Sequence, residues 1–189
     1  MKQNTYIIIL SGPSGSGKST IREKLLKNLK PQPKIIKTIT TRKKRLSDNK
    51  GAYLYISEKK FLKLLENKKI AEFNFYNSHY YATAIEDLKK SIKNKSLAIK
   101  ELEINAARKI KMLYPKDTTI FYITSSIENL RQRLIKRKEN SNIDIQKRLL
   151  LAQKENKLKS YADYIIDNPQ NFPEKAVSEI IKIIDKKNI

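Results

Sequence analysis

The sequence contains no cysteine, which excludes disulfides and thiolate-held metals. It has a single histidine, His79, set beside tyrosines; a lone histidine there is ordinarily structural, and no catalytic part is assigned to it. No apolar run approaches the roughly 20 residues needed to span a bilayer. No internal repeat or low-complexity linker interrupts the chain. The first five residues lead straight into an apolar run. That leaves no room for a signal peptide, so a cytoplasmic protein is expected. Glycine is scarce as well: there are four, and three of them fall between positions 12 and 17.

Acidic residues are few. The chain carries 19 Asp plus Glu against 41 Lys plus Arg, a net charge of +22. Such a balance admits nucleic-acid binding. The lysines, however, are spread along the whole chain, and Ile, Asn and Lys are the residues that A/T-rich codons favour. Lysines placed on solvated faces by compositional drift account for the charge, so no specific nucleic-acid partner is expected; a basic surface also attracts polyanionic nucleotides. With 189 residues, 39% of them hydrophobic, the chain suits one domain with a sizeable core.

What is present is concentrated in Gly12-Pro13-Ser14-Gly15-Ser16-Gly17-Lys18-Ser19-Thr20. The apolar run Tyr6-Ile7-Ile8-Ile9-Leu10 precedes it, and Ile21-Arg22-Glu23-Lys24-Leu25-Leu26, with helical spacing, follows. This is G-x-x-x-x-G-K-[ST] between a buried strand and a helix, the context in which it binds phosphate. The glycines let backbone N–H groups approach an anion, and the helix start aims its own unsatisfied N–H groups at the same place. Lys18 would bridge the outer phosphates of a nucleoside triphosphate, and Ser19 would ligate Mg²⁺.

The remainder reads as alternating elements. Residues 5–11 form a strand, 18–29 a helix stopped by Pro31 and Pro33, and 34–39 a second strand. Residues 38–51 read as a polar loop holding Arg42 and Arg45, which suit anion recognition and equally suit two solvated side chains. Short strands follow at 52–57, 70–76 and 79–83, around a helix that begins near Ser57 and a turn at Asn77-Ser78. They imply a small inserted subdomain. A helix over 85–93, a strand over 96–102 and a helix over 104–113 come next. The strand ends in Glu101-Leu102-Glu103, whose period-two geometry would turn both carboxylates to one side at a ligand-binding strand end. There they can hold a metal-bound water or a base edge, or be solvated acids. A strand over 118–124, a helix over 127–138 and a helix over 145–158 precede a last strand at 164–168 and a last helix at 176–184. Residues 138–144 lack an apolar period and are a candidate lid. The alternation implies an α/β fold with right-handed crossovers and a parallel sheet.

Taken together, residues 5–187 resemble guanylate kinase, the enzyme that phosphorylates GMP from ATP. Gly12–Thr20 is similar to the family's G-P-S-G-x-G-K-S-T loop. Thr38-x-Thr40-Thr41-Arg42-x-x-Arg45 is similar to its S-x-T-T-R-x-x-R segment, and Tyr80-Tyr81-Ala82-Thr83 to its Y-Y-G-[ST] stretch. The resemblance implies a three-layer fold of the P-loop NTPase type, with a central parallel sheet, an inserted mixed α+β GMP-binding subdomain and a helical lid. In one domain over 1–189, the core would comprise 1–37, 84–125 and 160–189, the GMP-binding subdomain about 38–83, and the lid about 126–159.

The resemblance further implies that Thr38, Arg42, Arg45, Tyr53 and Tyr81 hold the GMP phosphate. Glu72 would read guanine N1–H and the amino group, Thr83 would lie near O6, and Glu101 or Glu103 would assist. Gly12–Thr20, Arg133 and Asn168 would hold ATP; Lys18, Arg42, Arg137 and Arg148 would act on the transferred group; Ser19 would hold Mg²⁺. The implied substrates are ATP with GMP or dGMP, with no membrane partner, while the family's monomers and larger assemblies leave the oligomeric state open. The chain departs from the family's pattern where Glu101-Leu102-Glu103 replaces D-[IV]-D. Lys100 replaces an apolar strand residue, Ala82 a glycine, and Asp48 stands where a glutamate is common. Two alternatives are a related P-loop kinase with another acceptor and a guanylate-kinase-like binding module with weak or no catalysis. Arg42, Arg45 and Glu72 argue against the first, and the intact phosphate loop against the second.

Overall fold

The computed structural model describes residues 6–45, 48, 51–136 and 141–187. Its first strand, β1 (Ile7–Ser11), is buried along its whole length. Burial on both faces is what a continuous Ile-Ile-Ile-Leu run selects, and it makes β1 a central strand. It pairs in parallel with β7 (Ala98–Glu101) on one side and β8 (Thr118–Thr124) on the other. β2 (Lys34–Ile35) and β9 (Tyr164–Asp167) complete a parallel sheet of order β2-β7-β1-β8-β9.

Alternate residues of β1 feed two cores. Ile8 and Leu10 join Ile21 and Leu25 of α1 (Lys18–Asn28) and Val177 and Ile180 of α7 (Pro173–Lys187). Ile7 and Ile9 face the other way, toward Leu88 of α3 (Ile85–Lys93) and Ile104, Ala107 and Ile110 of α4 (Ile104–Leu113). The period of two in a strand thus produces the three layers. The α/β, parallel-sheet reading holds.

A second sheet has the order β4-β3-β6-β5, from β3 (Thr38–Thr40), β4 (Tyr53–Tyr55), β5 (Ile70–Tyr76) and β6 (His79–Ala84). It is mixed: β3 runs parallel to β4 and antiparallel to β6, and β5 and β6 form a hairpin. The hairpin turn is Asn77-Ser78, both with positive φ (47° and 62°), the geometry that a two-residue connection favours. α2 (Glu58–Glu66), capped by Ser57, covers the sheet through Phe61, which packs with Ile39 and Ala82.

Four readings of the sequence are corrected. The strand expected over 34–39 is two strands in different sheets. Ile36 N–H still donates to Ile99 O, whereas Thr38 N–H donates to Ala52 O. Thr38-Ile39-Thr40, read as loop for its polarity, is a strand in which Ile39 and Thr40 are both buried. The helix expected from Ile145 begins at Asn142. Ser141 and Asp144 form a capping box there, a polar start that apolar periodicity does not reveal. α5 (Ile127–Lys136) precedes α6 (Asn142–Asn156). Of the candidate lid stretch, residues 138–140 lie outside the described residues. The last helix starts at Pro173, three residues early, because proline is tolerated at a first helical position.

Candidate functional site

The loop between β1 and α1 is fixed from behind at two glycines. Gly12 has φ 131°, and a Cβ there would sit 2.2 Å from Ile123 O of β8; Gly17 has φ 95°, and a Cβ there would sit 2.2 Å from Asn168 Nδ2. Both positions combine a conformation that side chains disfavour with a close approach. Asn168 is buried and donates from Nδ2 to Ser16 O at 2.6 Å. Arg133 of α5 donates to Gly15 O and Ser16 O at 3.3 Å and to Asn168 O and Pro169 O at 3.0 Å. Its burial lowers its pKa. Lys18 Nζ donates to Gly12 O and Pro13 O at 2.6 and 2.9 Å. Arg148, from α6, donates to Ser14 Oγ at 2.9 Å. Arg137 lies outside the described residues.

Two clefts flank the first turn of α1. One, of about 460 Å³, is lined by Gly15, Gly17, Thr20, Arg133, Asn168 and Gln170. The other, of about 170 Å³, is lined by Ser19, Arg22, Thr38, Tyr53, Lys100 and Glu101, with Asp48.

Arg42 is buried next to the second cleft, and its guanidinium forms a fork with the lining residue Asp48: Nη1 to Oδ2 at 3.0 Å and Nη2 to Oδ1 at 2.8 Å. Asp48 also accepts from Arg45 N–H and Tyr55 Oη, each at 2.7 Å. These donors hold the Asp48 carboxyl well below the usual carboxylate range, with Arg42 contributing most. Arg42 is held charged, chiefly by Asp48 and also by Tyr81, and lies over the rings of Tyr53 and Tyr55 at 5.2 and 5.9 Å. Thr40 Oγ1 accepts from Arg42 N–H at 3.2 Å. The side chain of Arg45 is exposed.

Glu72 is buried at one end of the same sheet, opposite Thr83 in the β5–β6 register. The Thr83 hydroxyl donates to Glu72 Oε1. Burial pushes the Glu72 pKa up, against the effects of Thr83 and of Lys100. Lys100 is itself buried; its Nζ donates to Thr38 Oγ1 at 2.9 Å and to Lys37 O at 3.1 Å. Burial lowers its pKa to about 8.

The two acids of the Glu-Leu-Glu stretch part company. β7 ends at Glu101, so strand geometry does not carry to Glu103, which is the exposed residue before α4. Glu101 accepts from Ser19 Oγ at 3.0 Å and pairs with Arg22 at 2.6 Å. Among the described residues no group of three His, Asp or Glu is placed to hold a metal. Ser19 nevertheless fits Mg²⁺. Its hydroxyl proton is committed to Glu101 Oε2, which leaves lone pairs for a hard cation that keeps most of its ligands as waters and phosphate oxygens.

A family model described as guanylate kinase matches residues 4–187. The chain belongs to the guanylate kinase family. A guanylate kinase of Desulfitobacterium hafniense (strain Y51) is 35% identical over 172 residues, covering 90% of this chain and 86% of that protein. One from Mesomycoplasma hyopneumoniae (strain 7448) is 35% identical over 188 residues, covering 96% and 94%. The solved guanylate kinase of Anaplasma phagocytophilum superposes with a TM-score of 0.75 at 23% identity, covering 97% of this chain and 86% of that one, a likeness of fold. As a guanylate kinase, the chain is a nucleoside monophosphate kinase that phosphorylates GMP. Among the described residues no helix is long and apolar enough to cross a membrane.

Thus Thr38, Arg42, Tyr53, Tyr81, Glu72 and Thr83 come together along the second sheet, while Gly12–Thr20, Arg133, Arg148 and Asn168 gather at the loop. Sequence reasoning missed three contributors. Arg22 stands three residues after Ser19 on one helix face, and Tyr55 stands two after Tyr53 on one strand face. Both are spacings that could have drawn notice. The Asp48 fork had no local signal, since Asp48 stands six positions along the sequence from Arg42.

Proposed function

We propose that this kinase transfers the γ-phosphoryl group of ATP to GMP or dGMP with Mg²⁺, binding ATP in the larger cleft and the acceptor in the smaller. The observation that carries the acceptor assignment is a buried carboxylate, Glu72, at one end of a sheet whose other end holds the charged Arg42. Guanine presents N–H donors at N1 and N2, where adenine presents none. A carboxylate accepts both; the Thr83 hydroxyl, donating to Glu72, favours its ionised form.

Arg42, Tyr53, Tyr81 and Thr38 receive the monophosphate, with Arg45 supplying exposed charge at the rim. Lys18 and the loop N–H groups receive the donor phosphates. Asn168 and Arg133 line the side where the nucleoside lies. Ser19 would hold Mg²⁺, which neutralises charge on the phosphates. No general base is required, because the attacking phosphate oxygen is already anionic at neutral pH; the protein's work is positioning and electrostatics. Residues of about 38–83 serve as acceptor subdomain and about 126–159 as lid, over a core of 1–37, 84–125 and 160–189. Arg148 and Arg137 move onto the transferred group on closure, which also excludes water and suppresses ATP hydrolysis. The reaction is cytoplasmic, and nucleic acid is not a specific partner.

Glu72→Gln tests the acceptor assignment. The amide replaces one acceptor by a donor that faces guanine's own donors. Loss of a charge-assisted bond raises KM for GMP by roughly ten- to a hundredfold, with KM for ATP unchanged. A KM for GMP within twofold of wild type overturns the role of Glu72.

A further inference from the structure

Lys100 is unusual for its place. β7 lies between β1 and β2, and its neighbours Ala98 and Ile99 are fully buried. Lys100 is 1% exposed and pairs in register with Ile9 of the central strand. Taking a lysine out of water there is costly, and an apolar residue would fill the position at no such cost. The ammonium nevertheless has a defined set of acceptors: Thr38 Oγ1 at 2.9 Å, Lys37 O at 3.1 Å and Ile36 O at 3.5 Å. None of the three is charged. The carboxylates whose fields act on it are Glu72 of β5, Asp87 of α3 and Glu101 of its own strand. Its side chain reaches the connection where the chain leaves one sheet for the other, and it lines the smaller cleft with Thr38, Tyr53 and Glu101.

A threonine hydroxyl has one proton and two lone pairs. Lys100 has no acceptor capacity, so its bond to Thr38 occupies a lone pair and leaves the hydroxyl proton for another partner. We propose that Lys100 is a positioning residue of the acceptor site: it commits the Thr38 hydroxyl as a donor to the GMP phosphate and sets a buried positive charge behind it. This inference rests on the reading that the smaller cleft takes the acceptor. In a site of low dielectric, a fixed cation beside an incoming dianion acts more strongly than a solvated one. The effect belongs to acceptor binding and not to the transfer step, because the Lys100 ammonium acts through Thr38 and its bonds go to Thr38, Lys37 and Ile36, none of them in the donor loop.

The test is a double-mutant cycle on the full chain with Lys100→Met, Thr38→Val and the pair, read as KM for GMP, KM for ATP and kcat. Lys100→Met should raise KM for GMP by about tenfold, the cost of one charged hydrogen bond, with KM for ATP and kcat within about twofold. Thr38→Val should raise KM for GMP as well, and the double variant should add little to the larger single effect. Should Lys100→Met not fold, Lys100→Gln, which keeps a donor without the charge, is read by the same criteria. An unchanged KM for GMP in the lysine variants, with Thr38→Val impaired, overturns the inference alone. Independent, multiplying effects overturn the route through Thr38. If Thr38→Val is itself without effect on GMP, the acceptor-site reading fails and the inference falls with it.

Discussion

Glu72 and Lys100 are buried ionisable side chains of opposite sign, and burial raises the pKa of the first and lowers that of the second, to about 8. Each favours the charged form of the other, and neither is compensated in full. The consequence for stability has a definite sign. Lys100 titrates near 8 in the folded chain and near its ordinary 10.5 when unfolded. Between those values the unfolded state binds more protons, so stability rises with pH across that window and is lowest below it. Relative to Lys100→Met, the wild type should gain about 3 kcal/mol between pH 8 and 10.5. Urea unfolding of both proteins at pH 7.5 and pH 10 checks this, and parallel pH curves would contradict it. At this scale the sequence was uneven. Lys18, Ser19 and Arg42 were legible because their motifs fix spacing and chemistry together. The burial of Lys100 was not, because it depends on the path of residues 36–38 between two sheets, which no local pattern encodes. Asp48 was visible as a substitution, and its fork to Arg42 was not.

Elements were most legible where the apolar signal is strong, as in the continuous run of β1, the periodic α4 and the β5–β6 hairpin with its Asn77-Ser78 turn. They were least legible where polar chemistry sets the boundary. β3 carries one apolar residue, Ile39, between two threonines, so too few positions alternate to signal a strand. α6 begins with a capping box, not with an apolar residue. That cap stands two turns before Arg148, which reaches Ser14 of the phosphate loop, so the start of α6 bears on how the arginine is presented. Ser141→Ala should lower stability by about 1 kcal/mol, the usual worth of an N-cap. Hydrogen exchange should show the loss concentrated in the amides of the first turn of α6. A uniform change across the molecule, or none, would mean that the cap does not anchor this helix.

Across the whole molecule, the parallel sheet sets the phosphate loop at the carboxyl end of β1, where β7 and β8 deliver Glu101 and the carbonyl of Ile123 to either side of it. The mixed sheet then brings a cation-rich end and a buried carboxylate along one face. The three-layer α/β order was legible because it follows from alternating patterns. The register that sets Glu72 opposite Thr83, and the separation of Glu101 from Glu103, required the fold. The net charge of +22 places no demand on the site beyond attracting polyanions. In the proposed reaction the acceptor is chosen by its guanine base. The direct measurement is ADP release from ATP and Mg²⁺ with GMP, dGMP, AMP, UMP and CMP offered in turn. Turnover is expected with GMP and dGMP, and background rates with the other three. Comparable turnover with AMP, or none with GMP, would contradict it.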